Sequence, residues 1–132
     1  QSTYKDEAAK FVEDAKYNVT KSLFDDAMAA KAEDRERIFN DVARANNQYG
    51  STLQSAKMKE LSNNIMLKAQ FYIVKNNYAI AENAPDAQKK QKYEALILSY
   101  QKFIDKFADS KYKKEAEKLY NQTIIALQKL NK

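Results

Sequence analysis

The chain has 132 residues, enough for one domain, with a single glycine (Gly50) and a single proline (Pro85), where average usage supplies roughly nine and seven. Tight turns need residues that accept positive φ or a preset φ, so a chain this poor in both turns rarely; sandwiches, barrels and doubly wound sheets are excluded and long helices remain. Histidine, cysteine and tryptophan are absent, which removes the commonest general base, the thiol nucleophile and most zinc chemistry, and the net charge of +5 divides into −2 over residues 1–50 and +7 over residues 51–132. Helix-period spacing of apolar residues predicts about five helices. The first covers Tyr4 to about Ala32 on Phe11, Val12, Ala15, Val19, Phe24 and Met28, as one long helix or as two with a break at Asn18 and Thr20. A short amphipathic helix follows on Ile38, Phe39, Val42 and Ala45, then a connection over Asn46 to Ser55 containing Gly50. A long helix from about Met58 to Asn83 has Ile65, Ala69, Tyr72, Ile73, Tyr78 and Ala81 as its apolar face. Pro85 lies in the next connection, just ahead of a helix striped by Tyr93, Leu96, Ile97, Tyr100, Phe103, Ile104 and Phe107. The last helix carries Tyr112, Ala116, Leu119, Tyr120, Ile124, Leu127 and Leu130, with Asp109 and Ser110 as N-cap candidates.

Five antiparallel amphipathic helices fit either a closed bundle or an α-solenoid of stacked helix pairs. An internal repeat favours the solenoid. Residues 109–116 and residues 1–8 both read x-Ser-x-Tyr-Lys-x-Glu-Ala, and a weaker copy at Ser55 to Leu61 keeps the serine and Glu60. Glu7, Glu60 and Glu115 stand 53 and 55 residues apart, the period of a pair of longish helices. The serine suits a helix cap, and tyrosine and alanine are two steps of a buried stripe. Phe107, and Tyr49 in the middle copy, are expected to pack across the turn before each copy. The sub-repeats run over about 1–54 and 55–132, and because the chain opens inside a copy, further sequence is expected ahead of Gln1, making this the C-terminal fragment of a longer protein.

Residues 107–116, Phe-Ala-Asp-Ser-Lys-Tyr-Lys-Lys-Glu-Ala, closely resemble the F-P-x-S-x-Y-x-x-E-A turn of periplasmic tetratricopeptide-like proteins. Residues 78–83 (Tyr-Ala-Ile-Ala-Glu-Asn) are similar to Y-x-L-A-E-N-S, and residues 89–95 (Lys-Lys-Gln-Lys-Tyr-Glu-Ala) to K-K-E-R-Y-x-x-A. All three motifs belong to the BamD-like outer-membrane-protein assembly lipoproteins, in their Bacteroidetes-type form. The resemblance is strong over residues 60–132 and weak over 9–55; Ala108 replaces the usual proline, and the family's lipid-bearing cysteine is absent. It implies C-terminal tetratricopeptide-like repeats of a non-enzymatic scaffold on the periplasmic face of the outer membrane. The partners it implies are the barrel-forming assembly subunit and accessory lipoproteins, with membrane attachment only through a lipid anchor on the preceding part of the chain.

Contact residues for an acidic partner surface are expected among Lys102, Lys106, Lys111, Lys113, Lys114 and Lys118, each of which also reads as a plain solvated lysine. The alternative is a general envelope adaptor that binds extended peptides or cell-division and Tol-type partners. Tyr72, Asn76, Asn77, Tyr78 and Tyr100 are the candidates for an exposed inner peptide-binding cluster, and the tyrosines among them also read as ordinary interhelix packing. Nucleic acid is not expected: 20 of the 23 basic residues are lysine, whereas arginine is the residue suited to bidentate phosphate and base recognition. An enzyme would rest on the adjacent carboxylates Asp25-Asp26 and Glu33-Asp34, which point about 100° apart on a helix and do not converge. No cofactor or metal is expected.

Overall fold

The computed structural model describes residues 2–131. Five α-helices run Ser2–Ala29 (α1), Ala32–Tyr49 (α2), Ala56–Asn83 (α3), Asp86–Phe107 (α4) and Lys113–Leu130 (α5), with one 3-10 turn over Gly50–Thr52. No strand occurs among the described residues. The fold is all-α, as the scarcity of turn formers requires. Lysine, alanine, glutamate and glutamine recur on the helix surfaces, and straight-chain residues and alanine lose least on helix formation.

Three of the four connections between these helices are locked by a side chain. Between α1 and α2 the Arg35 Nε donates to the Ala30 carbonyl at 2.9 Å. Between α3 and α4, Pro85 holds φ at −59° as the residue before the first turn of α4, and a proline disfavours helical geometry in the residue before it. Lys89 then reaches back to donate to the carbonyls of Ala81 (3.2 Å) and Glu82 (2.8 Å), groups that a helix end leaves without intrahelical partners. The α2–α3 connection is held by a side chain from α1: Glu13 Oε1 accepts from the backbone N–H groups of Gln54 and Ser55, both at 2.9 Å. The Ser55 N–H, and after it the Gln54 N–H, hold the Glu13 carboxyl below the usual carboxylate range against the opposing effect of desolvation. Ser55 itself caps α3, its Oγ accepting from the Met58 N–H at 3.3 Å.

Two compact units divide within α3, residues 1–69 and 70–132. In the first, Phe39 and Val42 of α2, Ala27 and Thr20 of α1 and Leu53 are buried, and the rings of Phe24 and Phe39 meet at 5.9 Å. The second is an aromatic core. Phe71 stacks on Tyr112 at 4.5 Å and 10° and meets Phe103 at 6.1 Å, which in turn meets Phe107 at 5.9 Å. Phe71, Val74, Leu96 and Phe103 are excluded from solvent, each such side chain contributing about 1.5–3 kcal/mol relative to exposure.

Positions 54 residues apart take matching roles. The ring pair Phe24–Phe39 is followed by Tyr78–Tyr93 at 6.5 Å; Ala27 and Ala81 are both fully buried, as are Val42 and Leu96. Arg35 and Lys89, also 54 residues apart, both donate back to backbone carbonyls ahead of their helix, though to acceptors at different positions, Ala30 for Arg35 and Ala81 and Glu82 for Lys89. The glutamate spacings of 53 and 55 bracket this register.

Of the two alternatives for the first segment the structure takes the first: α1 is one unbroken helix with Thr20 buried inside it. The structure corrects the expected details at four places. The expected core stripe of α1 is largely bare: Phe11, Val12, Val19 and Met28 are exposed, because α1 turns Glu13, Tyr17, Thr20, Phe24 and Ala27 toward the unit instead. α2 continues through Asn46 to Tyr49, shortening the connection to residues 50–55. Ser110 does not cap α5; the helix begins at Lys113 without a side-chain cap, and the buried Ser110 Oγ has no hydrogen-bond partner. Its backbone is already engaged, Ser110 N donating to Phe107 O and Ser110 O accepting from Lys113 N. Finally Leu130, at the end of the α5 stripe, is exposed.

Candidate functional site

The α4–α5 turn and the first turns of α5 carry most of the lysines singled out by the sequence. All six, Lys102, Lys106, Lys111, Lys113, Lys114 and Lys118, are exposed. The backbone carrying Lys111, Lys113, Lys114 and Lys118 is anchored by Tyr112, stacked on Phe71, and by Ala116, fully buried. Neighbouring positions on the same turns therefore have to face outward. Lys111 lies over the Tyr112 ring, 5.3 Å from its centroid. Lys114 and Lys118 line a shallow groove of about 370 Å³ along α5 with Glu117, Asn121, Gln122 and Ile125, and Ile125 is 52% exposed. Lys102 and Lys106 stand apart from this groove, on α4.

Lys75 was missed by sequence reasoning because it lies on a different helix. Its ammonium sits 3.7 Å from Glu115 and about 6 Å from the rings of Phe71 and Tyr72. Only the fold brings Lys75 to the start of α5. Both partners of the ion pair are half exposed, so it contributes no more than about 1 kcal/mol.

The tyrosine–asparagine cluster is not an exposed inner face. Asn76 and Asn77 are 6% and 7% exposed. Tyr100 is stacked on Tyr120 at 4.5 Å, and Tyr78 packs on Tyr93, whose hydroxyl donates to Glu82. Burial first, and then the Glu82 carboxylate, push the hydroxyl pKa values of Tyr78 and Tyr93 up; burial and Glu117 do the same for Tyr100. These tyrosines are interhelix packing.

Amide-bearing side chains gather instead at the α2–α3 connection. Asn46, Asn47, Gly50, Ser51, Lys59, Ser62 and Asn63 line an open cleft of about 340 Å³. Ser62 donates to Asn46 Oδ1 across it. A Cβ on Gly50 would lie 2.7 Å from that oxygen and 3.0 Å from Ser62 Oγ, while the Gly50 φ of −65° is ordinary helix. The one glycine of the chain thus provides space rather than a special backbone angle.

The adjacent carboxylates behave as surface charge. Asp25 pairs with Lys21 at 3.1 Å and Asp34 lies 4.0 Å from Arg37. Among the described residues no group of three histidine, cysteine, aspartate or glutamate side chains is placed to hold a metal ion, and no helix is long and apolar enough to cross a membrane. No family model, curated protein or solved structure matches the chain.

Proposed function

We propose that this chain is a non-enzymatic helical-repeat scaffold that binds protein partners, and that it serves outer-membrane β-barrel assembly from the periplasmic side. The first half of the proposal is supported by the α4–α5 turn. Aromatic stacking at Tyr112 and burial of Ala116 fix the backbone from which Lys111, Lys113 and Lys114 project into solvent, a basic surface held in one shape before any partner arrives. Binding to a preorganised surface avoids much of the ordering cost of association. The assignment to barrel assembly is supported by the resemblance of residues 78–83, 89–95 and 107–116 to BamD-like lipoproteins, whose partners are the barrel-forming subunit and accessory lipoproteins.

The test is a triple charge reversal, Lys111→Glu, Lys113→Glu and Lys114→Glu, assayed by co-purification with the periplasmic domains of the barrel-forming subunit. Capture is expected to fall at least ten-fold with helical content unchanged, since opposing charges across an interface cost several kcal/mol when made alike. Undiminished capture sinks the basic-surface reading, and absence of capture by the unmodified chain sinks the assembly reading.

A further inference from the structure

The face of α1 left bare in the structure carries a residue pattern that is covered elsewhere in the chain. Its members are Tyr4, Ala8, Phe11, Val12, Ala15 and Val19. All are exposed, Tyr4 and Phe11 by 77% and 75%. Advancing each by 54 residues gives Met58, Ser62, Ile65, Met66, Ala69 and Ile73 on α3. Of these Met58 is half-buried and the other five are buried. A further 54 residues give Tyr112, Ala116, Leu119, Tyr120, Thr123 and Leu127, which enter and run along α5, with Ala116 and Thr123 fully buried and the rest half-buried. Small residues recur at the second and fifth places (Ala8, Ser62, Ala116; Ala15, Ala69, Thr123), where close approach of another helix needs them, and large apolar residues fill the others.

What covers the pattern in its last copy is explicit. Tyr112 stacks on Phe71 of α3, and Tyr120 stacks on Tyr100 of α4 at 4.5 Å and 18°. Both covering rings belong to the helix pair that precedes α5. Contiguous apolar surface of this kind on a folded protein marks an interaction site, and here the matching positions say what kind.

We infer that the Tyr4–Phe11–Val12–Val19 face of α1 docks an α-hairpin of the same repeat, built like residues 56–107, with one aromatic ring in the place of Phe71 against Tyr4 and another in the place of Tyr100 against Val12. A second copy of this chain does not supply that hairpin, because Phe71 and Tyr100 of every copy are already stacked against its own Tyr112 and Tyr120. The inference stands apart from the barrel-assembly reading, since it rests on the repeat alone.

The experiment joins a duplicate of residues 56–109 ahead of Ser2 of the full chain, so that Asp109 of the duplicate precedes Ser2 as Asp109 precedes Ser110. Amide hydrogen exchange over residues 4–16 is then compared with and without the duplicate. Docking is expected to slow these amides at least ten-fold, since exchange reports local opening; unchanged rates overturn the inference. Placing Phe71→Ala and Tyr100→Ala in the duplicate only is expected to abolish most of the slowing, and equal slowing by the ring-less duplicate overturns the assigned recognition. Light scattering on the unmodified chain provides a third arm. A monomer is expected, whereas a dimer that Phe11→Asp converts to monomer would give the face to a second copy and overturn the hairpin.

Discussion

The ring pairs Phe24–Phe39 and Tyr78–Tyr93 occupy the same place in successive helix pairs, and their centroids differ in separation by little, 5.9 against 6.5 Å. What differs is the polar handle. Tyr93 donates to Glu82, while the position 54 residues before Glu82 is Met28, an exposed apolar residue with no charge to offer. Ring against ring therefore sets the hairpin geometry, and the hydroxyl–carboxylate contact is an addition that leaves it in place. This also explains why a charged side chain is tolerated beside a buried ring: Glu82 stays at the surface and only its oxygen reaches inward.

The largest expected effects test that equivalence. Phe39→Ala and Tyr93→Ala, measured by urea unfolding, are each expected to cost about 3–5 kcal/mol through loss of a buried ring and the cavity left behind. A cost below about 1 kcal/mol at either position breaks the equivalence. Tyr93→Phe separates the added contact from the ring and is expected to cost only about 1 kcal/mol, the net value of one hydrogen bond.

The tyrosines of α3 and α4 predict where alkali acts first. The folded state holds the hydroxyl protons of Tyr78, Tyr93 and Tyr100 more tightly than the unfolded chain. Folded pKa values above unfolded ones mean stability is intact below pH about 10 and falls as pH rises past it, where the unfolded tyrosines ionise and the folded ones do not. Exchange-detected opening of α4 is expected to increase above pH about 10 before that of α2, and Tyr93→Phe is expected to lessen the difference. Simultaneous opening of α2 and α4 would refute it.

A smaller effect distinguishes two serines that look alike in sequence. Ser55 and Ser110 each precede a helix in the repeated motif, yet Ser55 Oγ accepts from the Met58 N–H while Ser110 Oγ is buried without a partner. Ser55→Ala is expected to cost about 1 kcal/mol, the usual value of a lost N-cap. Ser110→Ala is expected to cost nothing or to stabilise, because it removes an unsatisfied buried hydroxyl. A cost of 1 kcal/mol at Ser110 would mean that its hydroxyl has a partner in solution.

These two serines mark the limit of what the sequence makes legible. Helix number, the α4 stripe and the place of Pro85 follow from apolar period and backbone chemistry, which are local. Whether a stripe is covered is not local. Phe11 and Leu119 sit at matching places in two helices with apolar stripes, one bare and one half-buried, and period alone reports only that a face is apolar. Asn46 and Asn47 read as a helix breaker, but a tertiary partner, Ser62, takes up the Asn46 side chain and α2 runs on to Tyr49. Asn76 and Asn77 read as a polar surface and are buried. The lysines of α5 were legible as exposed because they fall opposite a clear stripe; Lys75, which joins them through Glu115, was not, because its neighbours come from another helix.

The finest test concerns the one glycine. At φ −65° Gly50 is helical, and alanine at such a position is favoured by about 0.5–1 kcal/mol through restriction of the unfolded chain. Against this, an alanine Cβ would sit 2.7 Å from Asn46 Oδ1, displacing the oxygen that accepts from Ser62, a contact of comparable value. The two effects oppose each other, so Gly50→Ala alone is expected to change stability by less than about 1 kcal/mol. In an Asn46→Ala background the hydrogen bond and the closer obstruction are gone, the remaining close atom being Ser62 Oγ at 3.0 Å, the end of a side chain freed to rotate by the loss of its acceptor. Gly50→Ala is there expected to stabilise by about 0.5–1 kcal/mol. The sign in that background decides the matter: a destabilising alanine there would mean that Gly50 is required for something other than room beside Asn46.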